Sequence, residues 1–282
     1  MTAALTDAIR RGVAGLVGRQ KPDGSFPLVT GSPARGWRPC GRLFSTAYVM
    51  MIAGDLLPAQ NATRALAFIR AQRRPDRLWE YDPAIGIPPD SDSTACALNA
   101  LSREGRAEDL ADGAALLRSF WRPEAGPFRS WPALGMWSLP ERDDPVVNGN
   151  ILASLRRLGA APTAAEEAAA LALCARTRPR YYCGPAVVAH AAHLGGLPLA
   201  ALPAAVTARP DPEDLLACVQ WLAATGEDDA ELVAAVLAAQ RPDGAWPIRC
   251  WVRAQGVPVP FWGSAAVTTA IALEALSRLA RG

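Results

Sequence analysis

Gln20-Lys21-Pro22-Asp23-Gly24-Ser25-Phe26 returns far along the chain as Gln240-Arg241-Pro242-Asp243-Gly244-Ala245-Trp246, and between them as Gln72-Arg73-Arg74-Pro75-Asp76-Arg77-Leu78-Trp79. A degenerate copy reads Trp121-Arg122-Pro123-Glu124-Ala125-Gly126-Pro127-Phe128. Each copy closes a helical stretch, and each puts an aromatic just after a Pro-Asp-Gly-type turn. Pro and Gly stop a helix and set the turn. The Gln amide can bond the open peptide groups at a helix end, and the aromatic is free to pack back on a neighbouring repeat. The same order of residues, met again and again, marks a repeat architecture in which each unit buries its apolar face against the next.

The rest of the chain falls into pairs around these turns. One set of helices is expected over roughly 3–19, 61–72, 108–120, 163–175, 199–207 and 228–240. A second set is expected to begin near Ser45, Ser91, Pro145, Gly184, Pro212 and Gly263, and it is rich in Ala, Ser, Thr and Val. Small side chains suit helices crowded around an axis. Six pairs is the number that closes a double ring, so the pattern predicts an all-α fold, an α6/α6 toroid occupying residues 1–282 as one domain. Loops rich in Pro and Trp (31–42, 83–90, 130–143 and 249–262) precede four of the second-set helices. If they share one rim, they roof the mouth of a cavity.

Composition narrows the function. Half of the 282 residues are hydrophobic and the formal charge is only +2, so a large core is affordable and nucleic acid is not an expected partner. The leading MTAALTDAIRRG lacks the apolar run of a signal peptide, and no stretch of about 18 apolar residues suggests a membrane span. A cytoplasmic protein is expected. The cysteines are widely and irregularly spaced without a C-x-x-C pair, so reduced thiols are expected. Abundant Ala and Arg with almost no Lys suggest a GC-rich, bacterial genome. No P-loop, G-x-G-x-x-G, H-E-x-x-H or G-x-S-x-G occurs.

The turns resemble the QW repeats of squalene–hopene and oxidosqualene cyclases, with related repeats in protein prenyltransferase β subunits. A second motif is sharper. Asp90-Ser91-Asp92-Ser93-Thr94-Ala95 resembles the D-x-D-D-T-A motif of class II terpene cyclases. The resemblance implies acid-initiated cyclisation or isomerisation of an isoprenoid, with Asp92 as the general acid. Ser93 departs from the motif's second consecutive Asp; oxidosqualene cyclases also replace that Asp and keep the acid. The zinc site of the prenyltransferases, which needs an Asp-x-Cys and a later His, is not expected, nor is any other metal.

The residues themselves fit that chemistry. An acid that protonates an alkene must be neutral, oriented and dry. Asp90 and Asp92 can share a proton, which raises one of their pKa values. Ser91, Ser93 and Thr94 can orient the oxygens, and Pro88-Pro89 readies a helix start whose free N–H groups favour the conjugate base. A helix over 94–102 would align Asp92, Cys96 and Asn99. Taken alone, such an Asp/Ser/Thr run is an ordinary helix cap.

Further candidates follow. Asp144 is expected as a cap before Pro145 and as a cavity residue, and Asn148, one turn in, as a hydrogen-bonding group for substrate. Phe44, Tyr48, Trp137, Tyr181, Tyr182, Phe261 and Trp262 are aromatics available to a carbocation. Arg42, with Arg38, Arg249 and Arg253, could hold a diphosphate, and Mg²⁺ enters only if the substrate is one. His190 and His193 read as polar or packing residues of their helix.

The expected partner is therefore a small isoprenoid, of a prenyl chain shorter than squalene, since one toroid stands where many cyclases have two. A partner subunit or homodimer would supply the missing wall. Two other readings stay open: a non-catalytic binding toroid or subunit, and a sugar hydrolase or lyase using Asp92 and Asp144 as acid and base. Surface Trp residues stacked in an open groove would favour sugar; a closed apolar pocket would favour isoprenoid.

Overall fold

The computed structural model describes residues 2–32, 36–84, 86–105, 107–124, 126–131, 143–176, 178–253 and 261–282. Two kinds of helix alternate along the chain. One kind comprises α1 (Thr2–Val17), α3 (Ala59–Ala71), α5 (Ala107–Arg118), α7 (Ala164–Arg176), α9 (Ala204–Thr207) and α11 (Ala230–Ala238). The other comprises α2 (Leu43–Ala53), α4 (Ser91–Leu101), α6 (Pro145–Arg157), α8 (Ala186–Leu194), α10 (Leu215–Thr225) and α12 (Ala265–Leu279).

Burial separates the two sets. In α3 only the stripe Asn61, Ala65, Leu66 and Ile69 is buried, the signature of a helix with one face on the core. Every residue of α4 is buried, from Ser91 to Leu101, as in a helix surrounded by others. The buried set packs in cyclic order: α2 on α4, α4 on α6, α6 on α8, α8 on α10, α10 on α12, and α12 back on α2. Helices of the first set lie outside this ring, α1 against α12, α3 against α2 and α4, and α11 against α10.

Four of the inner helices start where a capping side chain satisfies an open amide. Asp90, Asp144, Asp214 and Ser264 accept hydrogen bonds from the N–H groups of Ser93, Val146, Ala217 and Val267. Pro145, which has no N–H to lose, takes the first position of α6.

The expectation of an all-α chain needs correction. β1 (Leu28–Ser32), β2 (Gly36–Gly41), β3 (Cys250–Arg253) and β4 (Phe261–Gly263) form an antiparallel sheet in the order β2-β1-β4-β3. β2 and β3 fall within, and β1 and β4 overlap, the segments 31–42 and 249–262, whose Gly and Pro content reads as loop. The strands are short and the prolines do not disrupt them: Pro39 lies on β2, at the edge of the sheet, where a missing N–H costs no ladder bond.

The repeated turns act as clasps. Gln20 Nε2 donates to Gly24 O at 2.9 Å and to Asn61 O of the next outer helix at 2.8 Å. Gln240 Nε2 donates to Gly244 O and, across the ring closure, to Ala8 O of α1, both at 2.8 Å. Gly24 and Gly244 have φ of +90° and +85°, and a Cβ there would stand 2.2 Å from Arg64 O and 2.1 Å from Arg11 O. Only glycine fits both the conformation and the approach.

Each turn is also tied inward. The N–H groups of Phe26, Trp79, Phe128 and Trp246 donate to side chains of inner helices: Thr46 Oγ1, Thr94 Oγ1, Asn148 Oδ1 and Thr269 Oγ1. Trp79 and Trp246 are fully buried and donate their Nε1–H to Ile69 O and Val236 O, at 2.9 and 2.7 Å.

Candidate active site

The inward ties set a rule for what faces the axis. Thr46, Thr94 and Asn148 turn back to their own aromatic turns, so residues two positions away, on the other side of each helix, face the ring's interior. Those residues are Phe44 and Tyr48 on α2, Asp92 and Cys96 on α4, and Asn150 on α6.

Asp92 is the buried carboxyl of this set, 8% exposed. Its Oδ1 accepts from Asn150 Nδ2 at 2.9 Å and its Oδ2 from the Tyr182 hydroxyl. Cys96 Sγ lies 3.9 Å from Oδ1. Burial pushes Asp92 up to about 6, against the hydrogen bonds of Tyr182 and Asn150, which favour its anion. Burial and then the charge of Asp92 push Asp90 up to about 8. Two acid groups thus stand near each other with apparent values belonging to the pair.

The side chains of the other motif residues have other partners. Ser93 gives both its N–H and its hydroxyl to Asp90, each at 2.7 Å. Thr94 holds the Trp79 turn. Asp90 caps α4, and burial followed by the charge of Asp92 raises its pKa.

An aromatic shell surrounds the acid. Phe44 stacks on Trp251 at 5.2 Å with ring planes 9° apart. Tyr48 and Tyr182 meet the same indole at 4.5 and 5.8 Å. Tyr81 lies 4.8 Å from Phe44 and 5.7 Å from Trp262. The hydroxyls of Tyr48 and Tyr81, the Trp251 Nε1 and the Asn150 Oδ1 are buried without a hydrogen-bond partner. Burial raises the Tyr48 hydroxyl well above the usual phenol range, and Cys96, Glu274 and Asp92 lie close enough to push it further. Glu274 Oε2, on α12, is 2.7 Å from Nε2 of the fully buried His190 on α8.

Several expected site residues are placed elsewhere. Asn148 spends its amide on Phe128, donating to Phe128 O at 3.0 Å and accepting from its N–H. Asp144 accepts from the backbone N–H groups of Val146, Arg180 and Tyr181, which makes it an anchor for the segment leading to Tyr182. Asn99 lines a separate cleft of about 420 Å³ at the C-terminal ends of the inner helices, with Asp55, Arg103 and Arg157. Arg42 points outward, paired with Asp23 at 2.5 Å and lying 5.7 Å above the Phe68 ring. Tyr181 packs at 6.1 Å on Trp131, whose Nε1–H donates to its hydroxyl. Trp137 lies outside the described residues. His193 hydrogen-bonds with Arg278, in keeping with a polar residue of its helix, and burial followed by Arg278 pushes its pKa down to about 4.

Sequence reasoning passed over Asn150, Tyr182 as the acid's partner, Trp251 and the His190–Glu274 pair. Asn150 had a signal: an Asn two residues beyond a helix position that repeats elsewhere as a turn-holding Thr. Among the described residues no three metal-ligating side chains cluster, and no helix is long and apolar enough to cross a membrane.

No family model and no curated protein matches this chain. Solved structures do. The type II terpene cyclase MstE from Scytonema matches 100% of this chain and 99% of its own, at 18% identity and a TM-score of 0.72. A variant of that cyclase, in complex with geranylgeranyl dihydroxybenzoate as substrate, matches at 17% identity and a TM-score of 0.68, over 99% of this chain and 98% of its own. A protein from Actinoplanes matches 98% of this chain and 99% of its own, at 19% identity and a TM-score of 0.74. An unsaturated glucuronyl hydrolase specific for heparin matches 100% of this chain and 98% of its own at 12% identity and a TM-score of 0.62. At such identities the likeness is one of fold: the chain folds like the type II terpene cyclase MstE and like the glucuronyl hydrolase.

Proposed function

We propose that this chain is a class II terpene cyclase-like enzyme, folded as one α6/α6 toroid domain, in which Asp92 protonates an isoprenoid chain and starts its cyclisation. The observation that carries the proposal is a buried carboxyl held by two donors, Tyr182 and Asn150, beneath a shell of aromatic rings. Burial keeps Asp92 protonated up to about pH 6, well above the ordinary carboxyl range. The two donors stabilise the carboxylate left after the proton has gone, so the acid is stronger than burial alone would leave it.

The proton of Asp92 adds to a carbon–carbon double bond, or to an epoxide oxygen, and the neighbouring double bonds close rings as the cation moves along the chain. The faces of Phe44, Tyr48, Tyr81 and Trp251 stabilise that cation by about 0.5–2 kcal/mol each where water is excluded. The reaction ends when the cation loses a proton, so the net change is an isomerisation. Glu274 is the group we assign to take it: a carboxylate held by His190 and near Tyr48. Glu274→Gln should shift the product from alkene towards alcohol, as water ends the cation instead. An unchanged alkene-to-alcohol ratio by mass spectrometry would remove Glu274 from this role.

The sugar reading is less well supported, although a glucuronyl hydrolase shares the fold. The oxygens of Asp144 are taken by backbone amides, which leaves it unsuited to the base role that the sugar reading gives it. Three of the Trp side chains are inside: Trp79, Trp246 and Trp251 are at most 1% exposed. The Scytonema cyclase is matched over 99% of its length by this chain, which supports a reading without a second domain. Its variant's substrate supports a geranylgeranyl-sized chain bearing a polar head. Purified protein incubated with farnesyl, geranylgeranyl, geranylgeranyl-arene and squalene-type substrates, with and without Mg²⁺, should give a cyclic isomer of at least one. No product from any of them would favour a non-catalytic binding role.

A further inference from the structure

The segment leading into α8 lies beside β3. Tyr182 and Val252 form an antiparallel bridge, Cys183 N donates to Trp251 O at 3.1 Å, and Arg253 N donates to Tyr181 O at 2.9 Å. β3 has a register shift between Cys250 and Val252, and such a bulge re-aims a side chain. The result is a close approach of two thiols: Cys183 Sγ and Cys250 Sγ are 3.0 Å apart, and both residues are half-buried. A covalent bond needs the sulfurs to close by only about 1 Å.

Each thiol adjoins a residue of the site. Tyr182, next to Cys183, donates to Asp92, and Trp251, next to Cys250, carries the rings of Phe44 and Tyr48. We propose that Cys183 and Cys250 are a redox latch, a dithiol that a small-molecule disulfide such as oxidised glutathione converts to an intramolecular disulfide, pinning the Tyr182 segment to β3. Cys183 thiolate attacks one sulfur of the glutathione disulfide and expels one glutathione thiolate. Cys250, deprotonated in turn, attacks the mixed disulfide at Cys183 and expels the second. One small disulfide is reduced to two thiols while the protein pair is oxidised, and the electrons balance.

The surroundings favour Cys183 over the other cysteines as the attacking thiol, while its hydrogen bond and burial push Cys250, the resolving thiol, up. The Cys250 thiol's hydrogen bond, followed by Arg253, holds Cys183 below the ordinary thiol range, whereas burial pushes Cys40 and Cys174 up to about 12. A low-pKa thiol beside a resolving thiol is the arrangement that exchanges fastest.

The test is covalent mapping, which is independent of what Asp92 does. Full-length protein is treated with oxidised glutathione, digested without reduction and analysed by mass spectrometry. Wild type should yield a Cys183–Cys250 cross-linked peptide and retain no glutathione at either position. Cys183→Ser should retain glutathione on Cys250, and Cys250→Ser on Cys183. Oxidation should also raise the wild-type unfolding temperature by about 5 °C, reversibly with dithiothreitol, because a cross-link across a long stretch of chain restricts the unfolded state. Wild type that keeps glutathione adducts on these cysteines, or stays reduced there while Cys40 is modified, would overturn the proposal. A cross-link without the rise in unfolding temperature would overturn the pinning. A cross-link in a protein with no cyclase activity would leave the latch standing and the proposed function not.

Discussion

Asp92→Asn is expected to lower turnover by about 10³-fold or more, since no other group on the axis can replace a positioned acid. The amide has nearly the shape of the carboxyl: it can still accept from Asn150, and its NH₂ can donate to Tyr182. The fold should therefore persist, with unchanged far-ultraviolet circular dichroism. The pH dependence adds a sign. Asp92 and Asp90 have folded-state values raised to about 6 and about 8. The folded protein therefore binds protons that the unfolded chain has already released. That contribution to stability is full below pH ~4, the ordinary carboxyl value, and is lost as pH rises through about 6 and then about 8. Wild type should unfold at progressively lower temperature over this interval, and Asp92→Asn should show a smaller decline. Wild-type turnover should fall above about pH 6, as the acid loses its proton. Tyr182→Phe removes a donor to the carboxylate, so it should move that falling limb to higher pH and cut the maximal rate by roughly tenfold. A folded Asp92→Asn protein that still turns over would end the acid assignment.

Trp246→Ala should cost about 3–5 kcal/mol of unfolding free energy, read from denaturant midpoints. The indole is fully buried, and its Nε1–H is the donor to Val236 O at 2.7 Å. Truncation would empty a large volume and leave that carbonyl without its donor. Trp121→Ala should cost much less, because Trp121, which stands in the degenerate turn where Gln240 does here, is half-buried. Equal, small losses at both positions would mean that the clasps are not what holds the helix pairs together.

The fold was legible in the sequence because its turns are local. Gln, Pro, Asp, Gly and an aromatic do their work within a few residues, and the spacing between copies implies the helices. The small sheet was hidden because its partners are distant: Thr30 pairs with Trp262, and no short-range pattern reports such a pairing. At the site the same division holds. Asp92 was visible through the motif around it, and Asp144 as a cap through the Pro that follows. The groups that orient Asp92 come from 58 and 90 residues further along, and only the ring brings them together. Asn148 was preferred to Asn150 because both are Asn in an apolar helix. The choice between them depends on which way the helix faces, and that is set by the Phe128 turn.

The clasp formed by Gln240 and Gly244 on α1, with α12 lodged between α1 and α2, has a consequence for synthesis. Each earlier wall of the ring can settle against its neighbour as it leaves the ribosome. The last one cannot be improvised: until α12 has emerged, the apolar faces of α2 and α10 stay open to water and to other chains. The aromatic chamber above Asp92 also lacks Trp251 until the chain has grown past β3. A nascent chain thus leaves its interior exposed, and that surface is what a chaperone would have to shelter.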